Sequence, residues 1–231
     1  MKYHNFSRAI ARLVLLQRIE LKKSRLKKIR KLFGRYIFTN FVSKFLIFPS
    51  EINLNYYSIM NEEYEKLKKI AEFSNKKILS IGSGMCGLEL IINSKSNNTY
   101  FTIIEKDYVS KKVIYGWDED NKEGYNNLDL LKTFLEDNGM LSNFEICNFD
   151  TDNLPIKKFD YIISLYSMDY HYNFDIYSEY IKKVSSEETK IIFDTIRPDY
   201  FKKIFHNVDV LSIDEKEIHN SKRIICNKFV N

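Results

Sequence analysis

Lys77-Ile-Leu-Ser-Ile-Gly-Ser-Gly-Met-Cys-Gly-Leu-Glu-Leu90 is the stretch on which the reading of this chain turns. An apolar run reaches Gly82, Gly84 and Gly87 and passes straight into a second apolar run. That order spells a buried strand, a glycine turn and a helix start. Glycine lets backbone approach a ligand where a Cβ would collide. A helix start offers unpaired N–H groups and a partial positive charge. Gly82, Ser83, Gly84 and Gly87 are therefore the candidate contacts to a nucleotide-like cofactor.

From Lys76 onward, short apolar strands alternate with helical stretches. The strands are expected at 78–81, 100–105, 144–149, 159–165 and 190–194, followed by a late pair near 208–213 and 223–228. Helical patterns fill 87–95, 108–138 (broken near Gly116 or Gly124) and 174–185. Such alternation predicts an α/β fold with a doubly wound, Rossmann-like parallel sheet. Only a short polar turn separates the last two strands, so they form an antiparallel hairpin.

The chain of 231 residues carries a net charge of +5, but the charge is unevenly spread. Residues 1–48 hold 13 Lys and Arg against one acid, Glu20, whereas the rest holds 23 bases and 30 acids. This divides the chain into a basic helical arm, 1–50, and a mildly acidic domain, 51–231. Within the arm, 7–33 reads as one basic helix and 35–48 as a second amphipathic helix stopped by Pro49. A third helical pattern covers 58–73. Seven Gly and three Pro exclude a linker-rich or disordered protein. Cys86, Cys147 and Cys226 lie far apart and read as small buried residues, without a disulfide framework or metal site. The apolar run Leu13–Leu16 is too short for a signal peptide, and 36–48 is too interrupted to span a bilayer. A cytoplasmic protein is expected.

Glu105 ends the second strand, 18 residues after Gly87. In a doubly wound sheet an acid there accepts hydrogen bonds from ribose hydroxyls. Asp150, in Cys147-Asn-Phe-Asp150, is placed either to bind an adenine amine or to cap a turn. Phe149 either packs on the purine face or belongs to the core. The fourth strand follows in Leu154-Pro-Ile-Lys-Lys-Phe-Asp-Tyr-Ile-Ile-Ser164.

These four pieces, in this order, resemble the class I S-adenosylmethionine-dependent methyltransferases over roughly residues 58–228. The resemblance implies a seven-stranded sheet with one antiparallel strand in its last hairpin. It also implies S-adenosyl-L-methionine as cofactor, with Ser164 counted on the cofactor side. Two departures stand out. Ser80 occupies a position where the family often has an acid, and Cys86 replaces the third glycine of G-x-G-x-G. A dehydrogenase would also keep the G-x-G-x-x-G pattern and the acid.

Ligands of open sheets sit beyond the carboxyl ends of the strands. There Ser164 leads into Leu-Tyr-Ser-Met-Asp-Tyr-His-Tyr172. His171 is the first candidate for a general base, with Asp169 second or as its orienting partner. Tyr166, Tyr170 and Tyr172 line an acceptor pocket or simply pack. Asp194 and Arg197, after the fifth strand, are candidates for acceptor binding. Trp117 lies in an insertion-like stretch and either caps the site or packs. The resemblance, together with the absence of an Asn-Pro-Pro-Tyr-like sequence, points away from amino-group acceptors and toward a hydroxyl. A sugar or surface-carbohydrate precursor, small or lipid-linked, is the expected acceptor. A weaker similarity to bacterial sugar O-methyltransferases points the same way.

Three readings of the arm stand. It packs on the domain, it contacts an anionic membrane surface from the cytoplasmic side through 1–48, or it binds nucleic acid as in an RNA methyltransferase. The last is least favoured, because no recognised RNA-binding module is present. A non-catalytic protein that keeps the fold and the cofactor site is the remaining alternative to an enzyme.

Overall fold

The computed structural model describes residues 2–18, 41, 48–110, 123–211 and 221–230. Helix α1 (Arg8–Gln17) begins where Ser7 Oγ accepts the Ile10 N–H at 3.2 Å, a side-chain cap. Its residues Ile10, Ala11 and Leu13–Leu16 are buried. Helix α2 (Pro49–Leu67) starts at the proline that the sequence reading used as a stop. Proline has no N–H to lose at a first helical position, and its fixed φ suits the first turn. The helix expected over 58–73 accordingly begins at Pro49 and ends at Leu67. Ile52, Tyr56, Met60, Glu63 and Leu67 form its buried stripe.

The remaining elements alternate as expected. In order they are β1 (Lys77–Ile81), α3 (Gly87–Lys95), β2 (Tyr100–Glu105), α4 (Leu128–Asp137), β3 (Phe144–Asn148) and β4 (Tyr161–Ser164). There follow α5 (Asp175–Val184), β5 (Lys190–Thr195), the single turn α6 (Pro198–Phe201), β6 (Phe205–Leu211) and β7 (Lys222–Phe229). The long helical pattern over 108–138 reduces to α4 among the described residues.

The seven strands form one sheet in the order β3-β2-β1-β4-β5-β7-β6. β1 to β5 are mutually parallel, and β7 runs antiparallel to both β5 and β6. This is the doubly wound sheet with a closing hairpin expected from the sequence. Strand side chains alternate between two cores, as their period of two requires. Ile78, Phe101, Ile103, Tyr161, Ile163 and Ile192 face one core, shared with α1, α2, α3 and α4. Leu79, Ile104, Ile162, Ile191 and Phe193 face the other, shared with α5, α6 and the hairpin. Tyr3 and α1 thus enter the same core as β1. Residues 19–40 and 42–47 of the basic arm, with its lysines and arginines from Lys22 to Arg35 and most of the second helix expected over 35–48, lie outside the described residues, as does Trp117.

A sheet covered on both faces leaves one kind of place for a ligand, the crevice where the strand order reverses. Here β1 lies between β2 and β4, and the chain leaves those neighbours in opposite directions along the sheet.

Candidate functional site

A cavity of about 240 Å³ opens beyond the carboxyl ends of β1, β2 and β4. Gly82, Ser83 and Gly84 form one wall, and Ile104, Glu105 and Lys106 another. Tyr170, His171 and Tyr172 close the side beyond β4. These predicted residues therefore do converge.

The glycine turn is held differently from the expectation. Gly82 and Gly84 both have left-handed φ, +64° and +62°. A Cβ on Gly82 would also run into the Ser167 side chain, and one on Gly84 into Gln17. The helix start was expected to present open N–H groups. Instead, those of Gly84 to Gly87 are taken by other groups of the chain, mostly side chains. Gly84 N–H donates to Glu105 Oε1. Met85 N–H donates to Gln17 Oε1 at 3.2 Å, and Gly87 N–H donates to the Tyr56 hydroxyl at 3.0 Å. Cys86 N–H is taken by the Ser83 carbonyl at 3.1 Å. Gly87 also accepts the Tyr3 hydroxyl at 2.9 Å through its carbonyl. A Cβ there would strike the Tyr56 ring, so Gly87 is a packing glycine and does not line the cavity.

Glu105 stands at the end of β2 with one oxygen on the glycine turn. Burial raises its carboxyl to a pKa of about 7, against the opposing pull of the Gly84 N–H. Lys106 is buried among the rings of Tyr108, Phe149 and Tyr172, 5.5–5.9 Å from their centroids. Its Nζ pairs with Asp150 Oδ1 at 3.2 Å. Asp150 is thereby spent on Lys106 at the surface and is absent from the cavity wall, whereas Phe149 and Tyr177 line it.

Four further expectations are corrected. Asp169 is wholly buried and faces away from the cavity. It accepts the Thr195 hydroxyl and bonds Arg197 in fork geometry, with Arg197 Nη2 at 2.7 Å from Oδ1. Arg197 is correspondingly committed to Asp169 and to Asn173, and neither residue lines the cavity. Asp194 is 1% exposed. It is bonded through both oxygens to Arg223, which reaches on to Glu63 of α2. Burial opposes a charge on Glu63, yet Arg223 holds its carboxyl below the usual range. Ser164 is also buried, its Oγ accepting the Met168 N–H at 3.0 Å. These groups build the loops and touch no ligand space, because desolvated charges must be paired to be tolerated.

His171 lies at the cavity. Its backbone N–H donates to the Ser167 carbonyl at 2.8 Å, and its ring lines the cavity. Its Nε2 lies 2.8 Å from Oε2 of Glu123, a carboxylate that is 1% exposed. Tyr172 packs edge-on against the imidazole at 4.7 Å and donates its hydroxyl to the Glu123 carbonyl at 2.5 Å.

The sequence reading missed Gln17, Tyr56 and Glu123. Gln17 also donates through Nε2 to the Tyr125 carbonyl at 2.8 Å, while Asn126 Nδ2 donates to the Gly84 carbonyl at 2.8 Å. Gln17 is the polar end of an apolar helical stripe, and Glu123 precedes Gly124. Neither feature carries a local signal of its distant partner. Among the described residues no group of three or more His, Cys, Asp or Glu is placed to hold a metal ion.

No protein-family model matches this chain, and no curated protein does. Solved structures do resemble it. Coclaurine N-methyltransferase bound to N-methylheliamine and SAH is 12% identical with a TM-score of 0.43 over 73% of this chain, which spans 41% of the length of that one. Precorrin-6y C5,15-methyltransferase from Geobacter metallireducens GS-15 is 14% identical with a TM-score of 0.46, covering 74% of this chain and 87% of that one. MtNAS in complex with MTA and tNA is 12% identical with a TM-score of 0.48, covering 94% of this chain and 70% of that one. At such distances the chemistry has to be read from this chain's own residues.

Proposed function

We propose that this protein is an S-adenosyl-L-methionine-dependent methyltransferase acting on a hydroxyl, most simply that of a sugar or surface-carbohydrate precursor. One observation carries the reading: the glycine turn faces the cavity with the N–H groups of 84–87 already bonded within the chain. Dinucleotide sites use open amides at this turn to hold a pyrophosphate. A phosphate-free nucleoside cofactor has no such need.

The residues present suit that cofactor. Glu105 sits where ribose hydroxyls would donate, and its second oxygen also lies close to the Lys106 N–H at 3.4 Å. Phe149 and Tyr177 supply aromatic surface, their rings 5.2 Å apart. The strand order and the closing hairpin agree with the methyltransferase resemblance of the sequence.

The bound cofactor supplies an electrophilic methyl group. The protein's task is then alignment, which is worth roughly 7–11 kcal/mol when the geometry is right. Tyr166 and Tyr170 meet edge-on at 5.4 Å and, with His171, wall the side of the cavity beyond β4. His171 supplies the imidazole there that can take a hydroxyl proton. The aromatic wall suits the apolar face of a saccharide ring.

A cytoplasmic setting and a lipid-linked saccharide would suit the basic segment between Arg18 and Arg35. No helix among the described residues is long and apolar enough to cross a membrane. A second reading, a non-catalytic cofactor-binding protein, draws on the size of the cavity. Its volume of about 240 Å³ lies below the roughly 300–1,000 Å³ of ordinary ligand pockets.

Parallel calorimetric titrations with S-adenosylmethionine, S-adenosylhomocysteine and NAD test the proposal. Binding of both adenosyl compounds and not of NAD is expected, followed by turnover in a screen of nucleotide- and lipid-linked sugars. Binding of NAD alone overturns it. Cofactor binding with no turnover on any acceptor pool, including RNA, moves the protein to the second reading.

A further inference from the structure

Glu123 lies outside the residues that the sequence pattern singled out, and it completes an acid–imidazole pair at the cavity. Its oxygen Oε2 is 2.8 Å from His171 Nε2, within ion-pair distance but outside hydrogen-bond geometry. The backbone around Glu123 is anchored on two sides. Gly124 exchanges hydrogen bonds with Ser110, at 2.7 Å through its carbonyl and 2.9 Å through its N–H, and Tyr125 bridges Val109. The Tyr172 hydroxyl holds the Glu123 carbonyl from the other side. The imidazole itself is fixed by the Ser167 carbonyl on its backbone and by the Tyr172 ring. Asp169, the partner expected from sequence, is turned to Arg197 instead.

We propose that Glu123 is the positioning residue of His171, holding the neutral ring as its Nε2–H tautomer so that Nδ1 is the nitrogen that takes a proton. At 2.8 Å from a carboxylate oxygen an imidazole nitrogen is favoured as N–H over a bare lone pair, and a neutral imidazole has one N–H to give. With Nε2–H turned to Glu123, the lone pair is left on Nδ1. The arrangement applies the logic of an acid, an imidazole and a hydroxyl in series. As the acceptor oxygen takes the methyl group, its proton passes to Nδ1, and the electron pair of the broken carbon–sulfur bond stays with sulfur. The imidazolium formed lies beside the Glu123 carboxylate. The chemical step rests on the proposed methyl transfer, whereas the tautomer does not.

The test is therefore made on the full chain without cofactor or acceptor. Two-bond proton–nitrogen spectra of the ¹⁵N-labelled protein are recorded with the imidazole neutral, His171 being assigned by its loss in His171→Asn. The wild type is expected to show the Nε2–H form in clear majority. Glu123→Leu is expected to spread the population over both tautomers. Glu123→Gln, which keeps an oxygen acceptor in place, is expected to restore the Nε2–H form, a rescue that mere loss of packing would not produce. Unchanged far-ultraviolet circular dichroism checks that both variants fold. An Nδ1–H ring in the wild type overturns the proposal, as does a tautomer ratio indifferent to Glu123→Leu. If the tautomer behaves as expected while S-adenosylmethionine fails to bind, the pair stands and only the methyl-transfer reading falls.

Discussion

Gln17 closes the glycine turn from outside the sheet: its Oε1 accepts the Met85 N–H, 68 residues away, at 3.2 Å. The same side chain reaches the Tyr125 carbonyl. One carboxamide thus ties the end of α1 to the turn after β1 and to the segment before α4. The first helix is part of the cavity wall, together with the core behind it.

This contact and Gly84 should be coupled. Gln17→Ala is expected to lower stability by about 1 kcal/mol, the net worth of an ordinary hydrogen bond. Gly84→Ala should lose about 1–2 kcal/mol from its left-handed φ, and more from the encounter with Gln17. In the double variant the second part of that loss should disappear, so urea midpoints would be less than additive. Strict additivity would mean that Gln17 is not seated on the turn in solution.

Glu105 is the most direct test of the proposed cofactor site. Glu105→Ala removes an acceptor from the cavity wall and frees the Gly84 N–H. Affinity for S-adenosylmethionine should fall by about 1–3 kcal/mol, the range for hydrogen bonds to a charged group and for a donor left unmet. A folded variant that titrates like the wild type would remove Glu105 from the site.

Two acids, the buried Glu89 and the partly buried Glu105, set a pH dependence of stability. Burial raises Glu105 to about 7, and burial likewise raises Glu89 to about 6. Between an unfolded value of about 4.3 and these raised ones, the folded state binds more protons than the unfolded state. Stability therefore falls as pH rises through this window, and it recovers as the two groups are protonated again. Denaturation midpoints measured from about pH 5 to about pH 8 should drop in the wild type. The drop should shrink in Glu89→Gln/Glu105→Gln. Equal slopes in the two proteins would show that neither acid is held as described.

Arg223 should matter to folding far more than to acceptor binding. It is buried between Glu63 and Asp194, and both carboxylates depend on it. Arg223→Met strands two buried acids and should cost about 3–5 kcal/mol, as broken buried ion pairs do. A thermal melt decides this: a loss below about 1 kcal/mol, the scale of an exposed pair, would place the network in solvent.

The strands at β1, β2, β3 and β5 were legible because alternation and apolar runs are properties of neighbouring residues. Gly82 and Gly84 were legible because a turn at the end of a buried strand needs left-handed backbone. Pro49 opens a helix that was expected only from residue 58, since a proline marks a helix boundary without saying on which side the helix lies. Asp169 and Asp194 misled for another reason. Both sit at the sheet edge where ligands bind, but each faces an arginine, Arg197 or Arg223, brought in by a different part of the chain.

By itself, then, the sequence determined the element types, the position of the crevice and the aromatic, histidine-bearing loop beyond β4. Each of these follows from interactions within a few residues, through periodicity, turn conformation and chain connectivity. Tertiary structure decided which polar groups meet in that crevice. Gln17 on the glycine turn, Arg223 between two acids, and Glu123 behind His171 are pairings across long stretches of chain. Packing selects them, because a buried polar group takes whichever partner the fold brings within reach, and no local pattern encodes that choice.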